Sequence, residues 1–318
     1  IIPSPDYLKL NAENASIRVS KGIKLSNSAF GKRELGAALS YLNKFGLAQS
    51  ADGFNIAIIK QDDLAAQAYN LIISEQQISI AASSSAGANY GLYSLASLWD
   101  KNHKTIPQLV IKDKPRYEYR GLHLDIARNF HGLETIEKLL TQMAALKLNR
   151  LHLHMGDDEG WRLEIQGLAE LTEVGAKRCH DLSEQHCLLP QLGSGPYLKA
   201  KQFLTMADYR NIVSLAGQRN IEIIPSFDAP GHSRAAVKAM EARYQKYMAQ
   251  ENPEKAMEYR LIEANDKSQY LSIQHYNDNT LNPCLESSYR FFTKVITELS
   301  KLHSQAGYEL KTYHIGAD

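Results

Sequence analysis

The chain has 318 residues and a mass of 35.7 kDa, which suffices for a large core and, at about 100 to 200 residues per domain, predicts two domains. Its 36 Lys and Arg residues nearly cancel its 35 Asp and Glu residues, leaving a formal net charge of +1. This balance argues against a nucleic-acid or anionic-membrane surface and favours a neutral small-molecule substrate. No apolar stretch approaches the roughly 18 to 20 residues of a membrane span. The start at Ile1-Ile2-Pro3 lacks Met and a basic region, so we expect that a targeting segment was removed or that the chain begins internally.

The first part of the chain, residues 1–115, is typical of a small α+β domain. Residues 16–20 and 77–81 alternate polar and apolar side chains, and residues 54–59 are more continuously apolar, so all three segments are predicted strands. Residues 34–45 and 88–99 each place apolar side chains on one helical face. Strands with segregated helices indicate the α+β class. This part contains no group of titratable residues that suggests a functional site.

From Arg120 onward the chain alternates apolar strands with amphipathic helices, which predicts parallel β-α units. The predicted strands cover 121–126, 150–155, 221–227 and 312–315, and Thr205-Met-Ala-Asp208 has the spacing of a helix capping box. Because an α/β (β/α)8 barrel takes about 250 residues, residues 116–318 are predicted to be the N-terminal half of a TIM barrel, with about four units. The alternative is an open doubly wound domain, although no phosphate-binding glycine-rich turn follows any strand.

Polar residues follow each of these four strands. In a parallel barrel such strand ends meet on one rim, where enzymes of this architecture carry their catalytic groups. The residues in question are Arg128, Asp157, Asp158, Asp228, His232 and Asp318.

Each of these residues also has a structural explanation. Arg128 is also suited to be a solvated loop residue or an ion-pair partner of Asp125. Asp158 is suited to supporting the turn before Trp161, and Trp161 itself to the core or a pocket wall rather than to a sugar platform. Asp228, before Ala-Pro-Gly, is suited to an Asx turn.

The three cysteines are Cys179, Cys187 and Cys284, and an odd number leaves at least one thiol without a partner in this chain. Cys179 and Cys187 are eight residues apart in a polar loop, close enough to close a small disulfide ring. Two unrelated thiols are the alternative. A bridge would indicate an oxidising compartment.

Four segments together resemble the motifs of the family 20 glycoside hydrolases, the β-N-acetylhexosaminidases. They are Asp125-Ile-Ala-Arg128, the run from His152 to Arg162, Pro230-Gly-His232 and His314-Ile-Gly-Ala-Asp318. Segments 178–196 and 281–286 are similar to the bacterial chitobiase branch, and residues 1–115 resemble the small domain that precedes the barrel in this family. The resemblance covers essentially the whole chain.

The resemblance implies roles for four residues. Arg128 would bind sugar hydroxyls, and Asp318 would accept a hydrogen bond from the substrate's acetamido N–H. Asp157 and His232 would support a Glu that acts as general acid/base. The family uses the substrate's own acetamido group as nucleophile, so no cofactor is implied. The implied substrate is a terminal N-acetyl-β-D-hexosaminide, such as chitobiose or a chitooligosaccharide, hydrolysed with retention through an oxazolinium intermediate.

The chain departs from the family pattern after Asp318, where the family has the acid/base Glu and its later barrel strands. We therefore expect these 318 residues to be inactive by themselves, with the remaining half of the barrel as a further partner. The chitobiase likeness implies a periplasmic or secreted bacterial protein, with envelope association as a variant of that location.

Two other function classes remain open at this point. His152-x-His154 on a barrel strand, with acidic groups at other strand ends, could bind Zn²⁺ in a metal-dependent amidohydrolase. The pair lies at least three residues before the strand's end, however, and a strand histidine is more often a core residue. A noncatalytic glycan-binding relic is the other alternative.

Overall fold

The computed structural model describes residues 1–11, 15–191, 195–196 and 201–317. Their contacts divide them into two compact units. The first comprises residues 1–121, 138–150 and 215–221, and the second the remaining residues from 122 onward. Two short segments that follow residue 121 in the sequence, 138–150 and 215–221, thus group with the first unit.

The first unit is built on a mixed six-stranded sheet with the order β1-β8-β5-β6-β4-β3. β3, β4 and β6 pair in parallel, while β5 pairs antiparallel with β6 and β8, and β1 with β8. A separate antiparallel pair joins β2 and β7. The strands are β1 (Tyr7–Leu10), β2 (Ser16–Arg18), β3 (Ile23–Ser28), β4 (Phe54–Lys60), β5 (Tyr69–Ile73), β6 (Ile78–Ala82), β7 (Thr105–Pro107) and β8 (Leu109–Asp113).

Two helices accompany this sheet, α1 (Lys32–Lys44) and α2 (Ser85–Leu98). α2 packs on β5 and β6, and α1 packs on α2. The apolar face predicted for α1 is the buried one, with Leu35, Ala38, Leu39 and Leu42 inside. The three predicted strands are present as β2, β4 and β6, and the two predicted helices as α1 and α2.

The second half of the chain alternates strands and helices, as predicted. β9 pairs with β10, β10 with β12, and β12 in parallel with β13, which gives a partial α/β barrel-like sheet. The elements are β9 (Gly121–Asp125), α3 (Leu133–Ala145), β10 (Arg150–Asp157), β11 (Gly160–Trp161), α4 (Glu170–Glu173), α5 (Met206–Gly217), β12 (Glu222–Ala229), α6 (Arg234–Ala249), α7 (Pro253–Met257), α8 (Glu286–Gln305) and β13 (His314–Gly316).

Local sequence signals explain the start of α5 but not α6. The backbone N–H of Asp208 donates to Thr205 Oγ1 at 3.1 Å, and the N–H of Thr205 donates to Asp208 Oδ2 at 2.9 Å, so the predicted capping box forms. α6 was not predicted, because its buried face combines small alanines with Arg234 and Arg243 and therefore lacks a strong apolar period.

Trp161 belongs to the core of the second unit. Its ring stacks on Phe227 with centroids 4.2 Å apart, and its indole N–H donates to the carbonyl of Leu163 at 2.7 Å. The core interpretation of Trp161 is therefore confirmed. Among the described residues, no helix combines the length and hydrophobicity needed to cross a bilayer.

Candidate active site

Asp125, at the end of β9, shapes the loop that carries Arg128. Its Oδ1 accepts hydrogen bonds from the backbone N–H groups of Ala127 at 2.9 Å and Arg128 at 3.1 Å. Its Oδ2 lies 2.8 Å from Arg128 Nη1. The short Asp-x-x-Arg spacing thus lets one carboxylate hold both the backbone and the side chain of the arginine.

Three carboxylates surround the Arg128 guanidinium. Besides Asp125, Asp157 Oδ2 lies 2.7 Å from Nη2 and Glu159 Oε2 lies 3.0 Å from Nε. Burial alone would lower the pKa of Arg128, but these carboxylates outweigh it and raise the pKa. The side chain stays charged and is 35% exposed, so it can still meet a ligand.

Asp157, the last residue of β10, is the centre of the cluster, and its side chain is fully buried. Oδ2 contacts His154 Nε2 at 2.7 Å in addition to Arg128, and Oδ1 lies 3.2 Å from His232 Nδ1. One carboxylate therefore connects the ends of three strands, because β9, β10 and β12 pair side by side.

His232 faces two carboxylates. Its Nδ1 lies 3.1 Å from Asp158 Oδ2 as well as 3.2 Å from Asp157 Oδ1. Burial lowers the pKa of His232, but the two carboxylates outweigh it, so the pKa is raised. The residue has a left-handed backbone, with φ of 50°, a conformation that a β-carbon disfavours and that recurs at functional sites.

Asp158 lies, as expected, in the turn before Trp161, because residues 158 and 159 connect β10 to β11. It also closes a second buried cluster. Oδ1 accepts the backbone N–H of Arg234 at 3.1 Å, and Oδ2 accepts Asn279 Nδ2–H at 2.9 Å. Burial raises the pKa of Asp158 to about 6 despite these donors.

Asp228 is connected to this cluster through His154, whose other ring nitrogen contacts Asp157. His154 Nδ1 lies 3.0 Å from Ser226 Oγ and 3.6 Å from Asp228 Oδ1. Burial lowers the pKa of His154, but its hydrogen bond to Asp157 and the charge of Asp228 raise it overall. His154 is thus a buried, partnered histidine, in keeping with the core interpretation.

Sequence reasoning missed Glu159, which is buried and contacts Arg128. Burial, with the nearby Asp157, raises its pKa. Its backbone carbonyl accepts hydrogen bonds from Arg178 Nε at 3.0 Å and Nη2 at 2.8 Å. Arg162 Nη2 donates to the carbonyl of Ala127 at 2.7 Å. Two buried guanidiniums, those of Arg162 and Arg178, therefore fix the loops that carry Arg128 and Glu159. The sequence signal that could have identified Glu159 is the cluster of charges of both signs directly after the strand.

Within the part of the chain that the structure describes, two groups of residues have metal-ligating atoms within 4.8 Å of one another: His154, Asp157 and Asp228, and Asp157, Asp158 and His232. His152, part of the zinc hypothesis, is in neither. Asp157 is common to both groups, and the Arg128 guanidinium already lies 2.7 Å from its Oδ2. A permanent cation at this carboxylate competes with a divalent ion by charge repulsion, so the donor set fits a hydrogen-bonded relay better than a metal centre.

The structure thus brings Arg128, Asp157 and His232 together, and Asp318 lies outside the described residues. Cys179 and Cys187 form a disulfide with Cα atoms 5.7 Å apart, and Cys284 is free and exposed.

The model of the glycosyl hydrolase family 20 catalytic domain matches residues 117–318, and that of domain 2 of the same family matches residues 1–114. Beta-hexosaminidase B of Pseudoalteromonas piscicida is 48% identical over 321 residues, covering 100% of this chain and 41% of that protein. N,N'-diacetylchitobiase of Vibrio harveyi is 44% identical, covering 100% of this chain and 37% of that protein.

Among solved structures, the family 20 exo-β-N-acetylglucosaminidase of Vibrio harveyi in complex with N-acetylglucosamine superposes with a TM-score of 0.80 at 34% identity. The match covers 95% of this chain and 45% of that one. The chain spans about two-fifths of the length of the curated relatives named above. Since the two family models together match nearly every residue, the chain belongs to glycosyl hydrolase family 20.

Proposed function

We propose that the protein containing this chain hydrolyses terminal, non-reducing N-acetyl-β-D-hexosamine residues, with chitobiose or chitooligosaccharides as substrates. The observation that carries the proposal is the series of contacts Arg128–Asp157–His232, centred on the buried Asp157, which links three strand ends at distances of 2.7 and 3.2 Å. Beta-hexosaminidases and a chitobiase are among the relatives that match the whole chain.

Arg128 would bind the sugar hydroxyls away from the scissile bond. A guanidinium offers five donors in a fixed fork, and neighbouring hydroxyls accept two of them at once. Asp125, Asp157 and Glu159 each pair with one of its three nitrogens. Little entropy is then lost when substrate binds, because the donor is already oriented.

Asp157 and His232 would support the general acid/base Glu that follows Asp318 in this family. His232 has a raised pKa, so it holds a proton up to higher pH than an ordinary histidine. A protonated imidazole next to the acid/base carboxyl would stabilise its ionised form after it protonates the leaving oxygen.

The bond changes follow from the substrate's own acetamido group. Its carbonyl oxygen attacks the anomeric carbon as the glycosidic bond breaks and the leaving oxygen takes the proton of the acid. Asp318 would accept a hydrogen bond from the acetamido N–H, and its negative charge would stabilise the positive oxazolinium. Water, deprotonated by the same carboxylate, then opens the oxazolinium from the opposite face, and two inversions give overall retention.

The activity is proposed for the whole protein. The chain covers 41% of the Pseudoalteromonas relative, and we expect the 318 residues alone to be inactive, with the rest of the barrel completing the pocket. A periplasmic or secreted location is proposed as well, supported by the disulfide between Cys179 and Cys187, since such bridges persist in oxidising compartments.

The test compares two aryl substrates on the full-length protein. 4-Nitrophenyl N-acetyl-β-D-glucosaminide should release nitrophenol, whereas the β-D-glucoside, which lacks the acetamido nucleophile, should react slower by about 10⁴-fold or more. Proton NMR of the first product should show the β-anomer. Binding of N-acetylglucosamine without turnover of either substrate would instead favour a noncatalytic glycan-binding protein, and equal turnover of both would contradict the substrate-assisted route.

A further inference from the structure

The ring closed by Cys179 and Cys187 carries a buried carboxylate that bonds outside the ring. Glu184 is 5% exposed and has a left-handed backbone with φ of 51°. Its Oε1 accepts Arg234 Nη1–H at 2.8 Å and the backbone N–H of Leu189 at 2.9 Å, and its Oε2 accepts Arg234 Nη2–H. The pairing with Arg234 is bidentate, the geometry that holds a guanidinium most firmly.

Arg234 is the first residue of α6 and comes two positions after His232. Its Nε also donates to Asp278 Oδ1 at 2.8 Å, and its Cζ lies 5.3 Å from the centre of the Tyr276 ring. Lys238 Nζ lies 2.7 Å from Asp278 Oδ2 and 3.3 Å from Glu184 Oε2. Two cations and two carboxylates therefore balance, so the arginine is held on both edges without a net buried charge.

The backbone around Arg234 is held as well. Its N–H donates to Asp158 Oδ1 at 3.1 Å, and the N–H of Ser233 donates to the carbonyl of Asn279 at 2.8 Å. The left-handed backbone of His232 persists only if its surroundings hold it. The Arg234 side chain holds the C-terminal end of this short segment, residues 232–234, in place.

We infer that Glu184 is a positioning residue. By its bidentate pairing with Arg234 it fixes segment 232–234, and thereby the position of the His232 ring relative to Asp157 and Asp158. The disulfide limits how far Glu184 can move, because it joins Cys179 and Cys187, which lie on either side of Glu184 in the sequence. The catalytic consequence of this inference rests on the function proposed above. The structural consequence, the placement of His232, does not.

The experiment compares Glu184→Gln with Asp181→Asn in the full-length protein. Both variants remove one carboxylate from the same ring, but Asp181 is only partly buried and accepts hydrogen bonds from Ser183 within the ring. We expect Glu184→Gln to lower kcat by about 10- to 100-fold, the scale of a misplaced supporting group, with KM changed by less than about threefold. Asp181→Asn should leave both parameters at wild-type values.

A second readout does not depend on turnover. Diethyl pyrocarbonate modifies neutral imidazole, so the pH dependence of His232 modification, followed by peptide mass spectrometry, reports its pKa. His232 is 17% exposed and faces Asp157, Asp158 and the charge of Arg128. In Glu184→Gln the midpoint of His232 modification should move to lower pH, because the imidazole then lies farther from the carboxylates of Asp157 and Asp158 that raise its pKa. In Asp181→Asn it should not move.

The outcomes are distinct. Identical His232 midpoints and kcat values in the two variants would overturn the inference, even if Glu184→Gln melts at lower temperature. A midpoint shift confined to Glu184→Gln in a protein that hydrolyses neither substrate would support the positioning role and refute the proposed function. If Glu184→Gln does not fold, Asp278→Asn replaces it in both measurements. Asp278 also pairs with the Arg234 guanidinium, and because its side chain is 34% exposed its substitution should disturb folding less.

Discussion

Arg128 Nη2 lies 2.7 Å from Asp157 Oδ2, and His232 Nδ1 lies 3.2 Å from Asp157 Oδ1, so the residue proposed to meet the sugar shares one carboxylate with His232. Asp157 is fully buried, and a buried carboxylate must be paired to remain charged. The proposed binding and proton-transfer parts of the site are therefore one electrostatic unit, and a change at either end should be felt at the other.

Replacing Arg128 with Lys should lower kcat/KM about 100-fold in the full-length enzyme. A single ammonium cannot reach three carboxylates and two hydroxyls, and each lost charge-assisted hydrogen bond is worth about 1.5 to 3 kcal/mol. Steady-state kinetics on the aryl N-acetylglucosaminide provides the measurement. Arg210→Lys, at an exposed position in α5 where Nη1 donates to Gln305, is the control. A loss of less than threefold at Arg128 would argue against its proposed role.

Replacing His232 with Gln should cost more stability at low pH than at high pH. Asp157 and Asp158 raise the pKa of His232 above its ordinary value. The stabilisation is therefore fully present below about pH 6.5, the unfolded pKa, and is lost as the pH rises through the raised folded value. Calorimetric melting temperatures of wild type and variant at pH 6.5, which is above the pKa of Asp158 of about 6, and at pH 9 provide the comparison. An equal or larger difference at pH 9 would contradict the assigned electrostatics.

Gly156 in β10 should not tolerate a side chain. A β-carbon there would lie 2.5 Å from Phe227 Cδ1 and 3.1 Å from Trp161 Cε3, and overpacking of this kind costs about 1 to 3 kcal/mol. Gly36, in the middle of α1, has nothing within 4 Å of the same atom, so alanine should stabilise by about 0.5 to 1 kcal/mol. Denaturant unfolding of the two alanine variants should give shifts of opposite sign. A neutral Gly156→Ala would show that the two rings repack freely.

Lys147→Met should destabilise the first unit, and adding Asp113→Asn should recover part of the loss. Lys147 Nζ lies 2.7 Å from Asp113 Oδ2 and donates to the Tyr69 hydroxyl at 2.9 Å, with both charged side chains at least 90% buried. Removing one partner leaves an unpaired buried charge, at a cost of about 3 to 5 kcal/mol. A double-mutant cycle from denaturant unfolding measures the coupling. Simple additivity of the two losses would refute a buried ion pair.

Local patterns predicted much of the fold because they depend on residues close in sequence. Period-two alternation predicted β2 and β6, an apolar run predicted β4, and the box formed by Thr205 and Asp208 predicted the start of α5. α6 was missed because Arg234 and Arg243 interrupt its apolar face, and they are stable there only through partners elsewhere in the chain.

The sequence by itself determined the family, since its motifs are short runs at strand ends, and it singled out Arg128, Asp157 and His232. Only the tertiary structure decided that Glu159 joins them, and that Glu184 reaches Arg234 across 50 positions and Lys147 reaches Asp113 across 34. The physical reason is that strand and helix periods fix which side of an element a residue occupies. The path of the loops fixes which distant charge it meets, and burial then makes that partner obligatory.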